Sequence, residues 1–443
     1  MGDVTAIRQA DVDVRTLQVV RTPAEIRRAR YLGITYLVMA ALVIWIFARG
    51  SEGDFTFSLA RATDPSAPDI TFNAAGFSWI MAAMLAAMGG VQLVRGFGKW
   101  TNAVLAIGFV LFVLAFLAWA AAGSSLGSFS MVGMLRETVV QSVPITIGAL
   151  AGVLCERVAV INIAIEGMLL GGAFVAVLVA SAVPDWTPMF LGGTLAGWVG
   201  VAAAMVAGMV LSWVLAVLSV RYRVDQIITG VVINIFVLGL TSFMTIRLLA
   251  DNPQLNSAAI FQSVNLPGLS ELPVLGPVLF TQTIFVYGMF LLVALLTFGL
   301  FRTRWGLRAR SVGEHPKAAD TVGINVYRTR YVNVLLGGLV AGFGGAFFTI
   351  GSVGRFDENM TAGRGFIALA AMIFGRWHPV GGMAAGLIFG FAVALQGKLG
   401  ILQTGIPSEF LGMAPYLATI LVVAGLVGKA RPPAADGQPY IKE

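Results

Sequence analysis

Six polar or aromatic residues in otherwise apolar stretches could do chemistry. Asn162 and Glu166 stand four apart in CERVAVINIAIEGMLLGGAF, residues 155–174, which predicts one shared helical face. Glu166 is the most isolated acid inside an apolar run. A carboxylate at that depth is costly and usually faces a bundle interior or a cavity. It could line a pathway, cap a half-helix, or pair with Arg157 or another buried cation. Gln226 and Asn234, with Gly230 between them, form a second stripe in DQIITGVVINIFVLGL, residues 225–240. Such amides can hydrogen-bond a hydroxylated ligand or only bind neighbouring helices. Phe366 and Trp377 could stack on a base or sugar, or could be interface aromatics.

These residues need helices that cross a membrane. The chain has 443 residues, of which 58% are hydrophobic and only 12% charged. A soluble domain is about a quarter charged. The apolar excess falls in runs near the length that spans a bilayer, about 20 residues, and a β-barrel would show short alternating segments instead. The expected fold is therefore all-α and polytopic, with about 10–12 spans. Apolar runs lie near 31–48, 74–94, 101–122, 188–219, 226–249, 281–301, 331–352 and 411–428. Two further stretches are interrupted: 138–182 at Cys155-Glu156-Arg157, and 365–396 at Arg376-Trp377-His378-Pro379. Irregular backbone at membrane depth persists only where it is buried in protein or lines a cavity, and transporters place substrate sites at such breaks. A plain kink at Pro144 or Pro379 is the simpler alternative. Gly382, Gly386 and Gly390 repeat every fourth residue, and Gly167 with Gly171 does the same, which predicts close helix packing.

Charge gives the orientation. The net charge is +7, and the basic residues sit mostly beside spans rather than on one exposed domain. That distribution fits the positive-inside rule better than a nucleic-acid surface. Arg95, Lys99, Arg221, Arg223, Lys429 and Arg431 mark cytoplasmic ends, whereas 250–280 has Asp251 and Glu271 with no Lys or Arg and belongs outside. Both termini are expected in the cytoplasm: a tail at 1–30, a membrane domain at 31–428, and a second tail at 429–443. The mixed charge of the first 30 residues does not fit a signal peptide.

Between Gly306 and Val332 the chain reads GLRARSVGEHPKAADTVGINVYRTRYV, a basic, helix-compatible segment long enough to dock a soluble cytoplasmic partner. Its pattern G-x-R-x-R-x-x-G-x-x-P-x-A-A-x-x-x-G-I resembles the coupling segment of permease subunits of bacterial ABC importers. The nearest branch carries nucleosides and simple sugars and is related to the branched-chain amino-acid permeases. Three other blocks resemble it too. NIAIEG at 162–167 is similar to N-I-G-I-E-G, with Ala164 for glycine. The segment 225–234 is similar to N-E-V-I-x-T-x-x-L-N, but has Asp225-Gln226 for Asn-Glu and Gly230 for threonine. GRGFIALAAMIFGRWHP at 363–379 matches its block almost throughout. The resemblance covers about 135–428.

The resemblance implies a transport subunit of the bacterial inner membrane, with a second homologous permease, an external binding protein or lipoprotein, and membrane lipid around it. A separate cytoplasmic ATPase would hold ATP-Mg, and this chain would hold no cofactor of its own. It places coupling at 302–330 on Gly313, Glu314, Pro316, Ala318, Ala319, Gly323 and Ile324. It places the pathway at Asn162, Glu166, Gln226, Asn234 and Phe366. Ribose, other simple sugars and branched-chain amino acids are alternative cargoes, and an ion-coupled transporter using Glu166 is the alternative of another class. An enzyme is disfavoured. The Gly-Lys pairs ending at Lys99, Lys398 and Lys429 lack the rest of a Walker A loop. Cys155 is the single cysteine, and His315 and His378 are too far apart for zinc-ligand spacing.

Overall fold

The computed structural model describes residues 23–51, 53–58, 69–122, 128–184, 189–402, 412–413 and 431–442. Most of the expected N-terminal tail and most of the run at 411–428 lie outside them. The chain divides into two compact units: residues 1–56 with 71–128, and residues 57–70 with 129–443.

The first unit contains α1 (Pro23–Leu42), α2 (Ala74–Val94) and α3 (Thr101–Ala122). Asn73 starts α2 by accepting from Gly76 N at 2.9 Å, one of the donors a helix start leaves without a partner. Tyr36, Val43 and Phe47 of the first span pack with Met81 and Leu85 of α2 and Leu111 and Ala115 of α3. Small residues let the backbones touch. A Cβ on Gly89 would lie 3.1 Å from the carbonyl of Gly33.

The second unit contains α4 (Met131–Glu156), α5 (Ile165–Ala182), α6 (Leu195–Ala216), α7 (Gln226–Met244) and α8 (Ile284–Arg302). Then come α9 (Arg304–Glu314), α10 (Pro316–Thr321), α11 (Val326–Phe348), α12 (Arg364–Phe374) and α13 (Pro379–Leu402). Several spans close in a wider turn, as where Tyr222 N reaches Val217 O and Gly354 N reaches Thr349 O. Ten helices of the described residues are long and apolar enough to cross a membrane, and α12 is a shorter apolar helix. The expected polytopic helical fold is thus observed.

Three spans form the centre. In α4, α5 and α11 with its final turn, 89%, 72% and 78% of the apolar stretch is buried, against 28–44% for the unit's other spans. Glycines set these contacts. The Gly382, Gly386 and Gly390 face of α13 lies on Ala149, Thr146 and Ser142 of α4. Gly338 and Gly342 of α11 meet Gly208, Ser212 and Ala204 of α6.

Both expected interruptions are present. Pro144 lies inside a continuous α4. The first break comes at Arg157–Ala164, starting within the expected Cys155-Glu156-Arg157 interruption, where Ala159 takes a left-handed backbone at φ 61 and the chain stays non-helical until α5. A non-helical stretch at 354–363 precedes α12 and lies ahead of the second region, 365–396, which breaks at Gly375–His378 before α13. Arg376 and Trp377 are both left-handed there, at φ 55 and 53. Non-glycine residues hold that conformation at a cost of order 1–3 kcal/mol only where surrounding contacts enforce it.

Candidate functional site

The two broken regions pack on each other, joined by Glu166 and Trp377 among the singled-out residues. The linker Arg157–Ala164 lies against α7. Ile161 N donates to Gln226 Oε1 at 2.7 Å. Asn234 Nδ2 donates to Ile163 O at 2.9 Å, and its Oδ1 accepts from Gly167 N at 2.8 Å. A side chain at Gly230 would bring its Cβ to 2.9 Å from Ile163 Cβ and 3.1 Å from Ala164 N. Positions 226, 230 and 234 are one turn apart on α7 and so face the linker together. Each amide satisfies backbone groups that the broken helix leaves exposed, which apolar surroundings require.

Asn162 lies in this linker and not on a helix, so the shared helical face with Glu166 does not form. Ala159 ends the helical path three residues earlier. The Asn162 side chain is fully buried, with Nδ2 directed to Cys155 Sγ at 3.4 Å and Met168 Sδ at 3.7 Å. Its Oδ1 has no partner among the described residues.

Glu166 occupies the first turn of α5. Its carboxylate accepts from Thr361 Oγ1 at 2.7 Å, from Gly363 N at 2.8 Å and from Gly365 N at 2.5 Å. It therefore places negative charge at the start of α12, where unpaired N–H groups and the helix dipole favour an anion. A Cβ at Gly365 would lie 2.5 Å from Glu166 Cα, so the helix start needs glycine there. The α12 helix has 11 residues, roughly 16 Å at 1.5 Å per residue, or about half a bilayer core.

The other end of α12 returns to the end of α4. Trp377 Nε1 donates to Glu156 Oε2 at 2.5 Å, and Arg157 Nε donates to Trp377 O at 2.8 Å. Trp377 is therefore buried in an interhelix contact, while Phe366 is half exposed and joins none of this network. The Phe301 ring lies under the guanidinium groups of both Arg157 and Arg310 and stacks on His378 at 4.5 Å.

The basic segment forms two short helices at this end. Thr303 caps α9 through Gly306 N at 3.3 Å, and Pro316 starts α10. Ala309, Val312, Gly313 and Ala319 face inward, whereas Glu314, Lys317, Ala318 and Gly323 are exposed, with Pro316 and Ile324 between. Gly313 rests directly on the carbonyl of Arg157, leaving no room for a Cβ. The segment thus touches the first residue of the linker. Sequence reasoning missed Thr361, Gly363 and Gly365 as partners of Glu166, and Glu156 as the partner of Trp377. The only available signals were the Glu156-Arg157 interruption and the glycines around Arg364.

Residues 134–427 match the family described as branched-chain amino acid transport system / permease component. The chain is 41% identical over 316 residues to the guanosine ABC transporter permease protein NupQ of Bacillus subtilis, covering 70% of this chain and 96% of that relative. It is 40% identical over 314 residues to the nucleoside ABC transporter permease protein NupC of Lactococcus lactis, with the same coverages of 70% and 96%. A putative glucose ABC transporter permease protein of Haloferax volcanii is 29% identical, covering 66% of this chain and 91% of that relative. No solved structure matches the chain.

Proposed function

Since the chain belongs to the permease family of the branched-chain amino acid transport system, we propose that it is the membrane-spanning subunit of an ABC importer for nucleosides. The names of its 41% and 40% identical relatives support that cargo. The relative named for glucose makes a sugar the second reading. In this proposal a second permease, a cytoplasmic ATPase holding ATP-Mg and an external binding protein complete the transporter.

The contact of Gly313 with the Arg157 carbonyl carries the mechanism. Movement of the ATPase presses on α9 and α10 at Glu314, Pro316, Ala318, Gly323 and Ile324, with Ala319 and Gly313 transmitting from the inner face. The push reaches the linker Arg157–Ala164 and, through Glu166, the start of α12. Gln226 and Asn234 keep the linker in place during the movement. In this reading the buried Asn162 Oδ1, which has no partner among the described residues, becomes an acceptor for cargo when the linker moves, and exposed Phe366 offers a ring face. By the positive-inside rule, α9 and α10 lie in the cytoplasm.

Pro316→Glu and Ala319→Asp test this. Ala319 is 3% exposed, so its replacement drives a carboxylate into a packed contact. Uptake of radiolabelled guanosine by cells carrying the complete transporter should fall about 5- to 150-fold, the span of typical coupling energies, at unchanged permease abundance. Unchanged uptake would overturn the coupling role. Competition by glucose but not by nucleosides would favour the sugar reading.

A further inference from the structure

The C-terminal residues Arg431–Lys442 return to the basic segment and are held across it. Their sequence, RPPAADGQPYIK, is suited to a fixed, non-helical strap. Pro432, Pro433 and Pro439 restrict φ, and Gly437 takes φ 71. Asp436 N bonds Pro433 O at 3.0 Å and Gln438 N bonds Ala435 O at 3.0 Å, giving two successive turns.

The strap touches each part of the route from the basic segment to the linker. On α9, Ala434 N donates to Glu314 Oε2 at 3.1 Å and Ala435 N donates to Gly313 O at 3.0 Å. On α10, Lys442 pairs with Asp320 at 3.6 Å. On α11, Arg330 Nη1 donates to Gln438 O at 3.2 Å, and Tyr327 OH donates to Tyr440 O at 3.3 Å, with the two rings tilted against each other at 5.4 Å. At the linker, a Cβ on Gly437 would meet Ile161 Cδ1 at 2.8 Å. Ile161 is the residue whose N–H is held by Gln226. Arg330 is 1% exposed, so a guanidinium is buried at this contact; its Nη1 bonds the strap, while Nε and Nη2 have no hydrogen-bond partner among the described residues.

We infer that the strap Arg431–Lys442 is a third coupling element, binding α9 and α10 to the linker at Ile161 so that the two move as one body. The inference rests on the ABC importer reading. Gly313 alone would press on one carbonyl at the start of the linker; the strap adds a second hold four residues further along, next to the Gln226 anchor.

The test uses the complete transporter reconstituted in proteoliposomes, measuring ATP hydrolysis and guanosine uptake on the same preparation. One variant removes residues 431–443, and the other is Gly437→Leu, which keeps the strap but crowds Ile161. The expected result is that ATP hydrolysed per guanosine carried rises at least about fivefold in each, the lower end of typical coupling, while the ATPase still co-purifies. If the truncated chain does not assemble, Gly437→Leu decides alone. An unchanged ratio in Gly437→Leu would overturn the inference. Absence of ATP-dependent uptake by the unaltered transporter would instead remove the ABC importer reading beneath it.

Discussion

Glu166 joins one helix start to another. Its two oxygens receive three donors from Thr361, Gly363 and Gly365, which a carboxylate can do and an amide cannot. In Glu166→Gln one oxygen becomes an NH2 group facing a backbone N–H, and the charge at the start of α12 is lost. A buried donor left unsatisfied costs about 1–3 kcal/mol. The detergent-solubilised variant should therefore melt several degrees lower, and an unaltered melting curve would remove the joint from the account. That Glu166 faces the interior was legible from its isolation in an apolar run. Its partners were not, because they lie 195–199 residues away and two of them are backbone groups. Asn162 failed as a helical neighbour of Glu166 for a local reason: Ala159 adopts φ 61 with no glycine to announce it.

Spans were the most legible elements. The runs at 74–94 and 101–122 coincide with α2 and α3, because length and apolarity decide a crossing almost alone. The glycine spacing of 382, 386 and 390 announced a packing face, but only the fold shows that α4 fills it. Gly386 meets Thr146 so closely that any Cβ must displace it. Gly386→Leu is expected to cost about 1–3 kcal/mol or more by overpacking and to lower the yield of monodisperse protein on size exclusion. A normal profile and melting temperature would show that α13 can shift away from α4. The alternative of a plain kink at Pro144 does not replace the break, since proline removes a hydrogen bond without requiring the helix to end, and α4 runs on to Glu156. The true end is tied by Arg157 to the carbonyls of Trp377 and Arg376, a contact no local pattern shows.

At the scale of the whole chain, the second unit holds the broken helices, the basic segment and the C-terminal strap. The strap escaped sequence reading because its contacts are mostly to backbone and its composition is that of an ordinary tail. It carries a pH dependence. Burial pushes the Asp436 carboxyl up from 3.8 to about 6, with Glu156 of α4 and Arg330 of α11 facing it. The docked strap then binds more protons than a released one between about pH 4 and 6, so docking weakens as pH rises through that window. Hydrogen exchange in 434–442, corrected for intrinsic rate, should show more protection near about pH 5 than at neutrality, and Asp436→Asn should blunt the difference. Equal protection at both values would contradict this. The span of 195 residues between Glu166 and Thr361 also sets an order for biosynthesis. At about 5–20 residues per second, a ribosome that has finished Glu166 needs roughly 10–40 s more to make the groups that receive it. The nascent chain must therefore shelter an unfinished centre through the insertion of four later spans, and a pause or early stop in that interval leaves α5 with a carboxylate that has nothing to receive it.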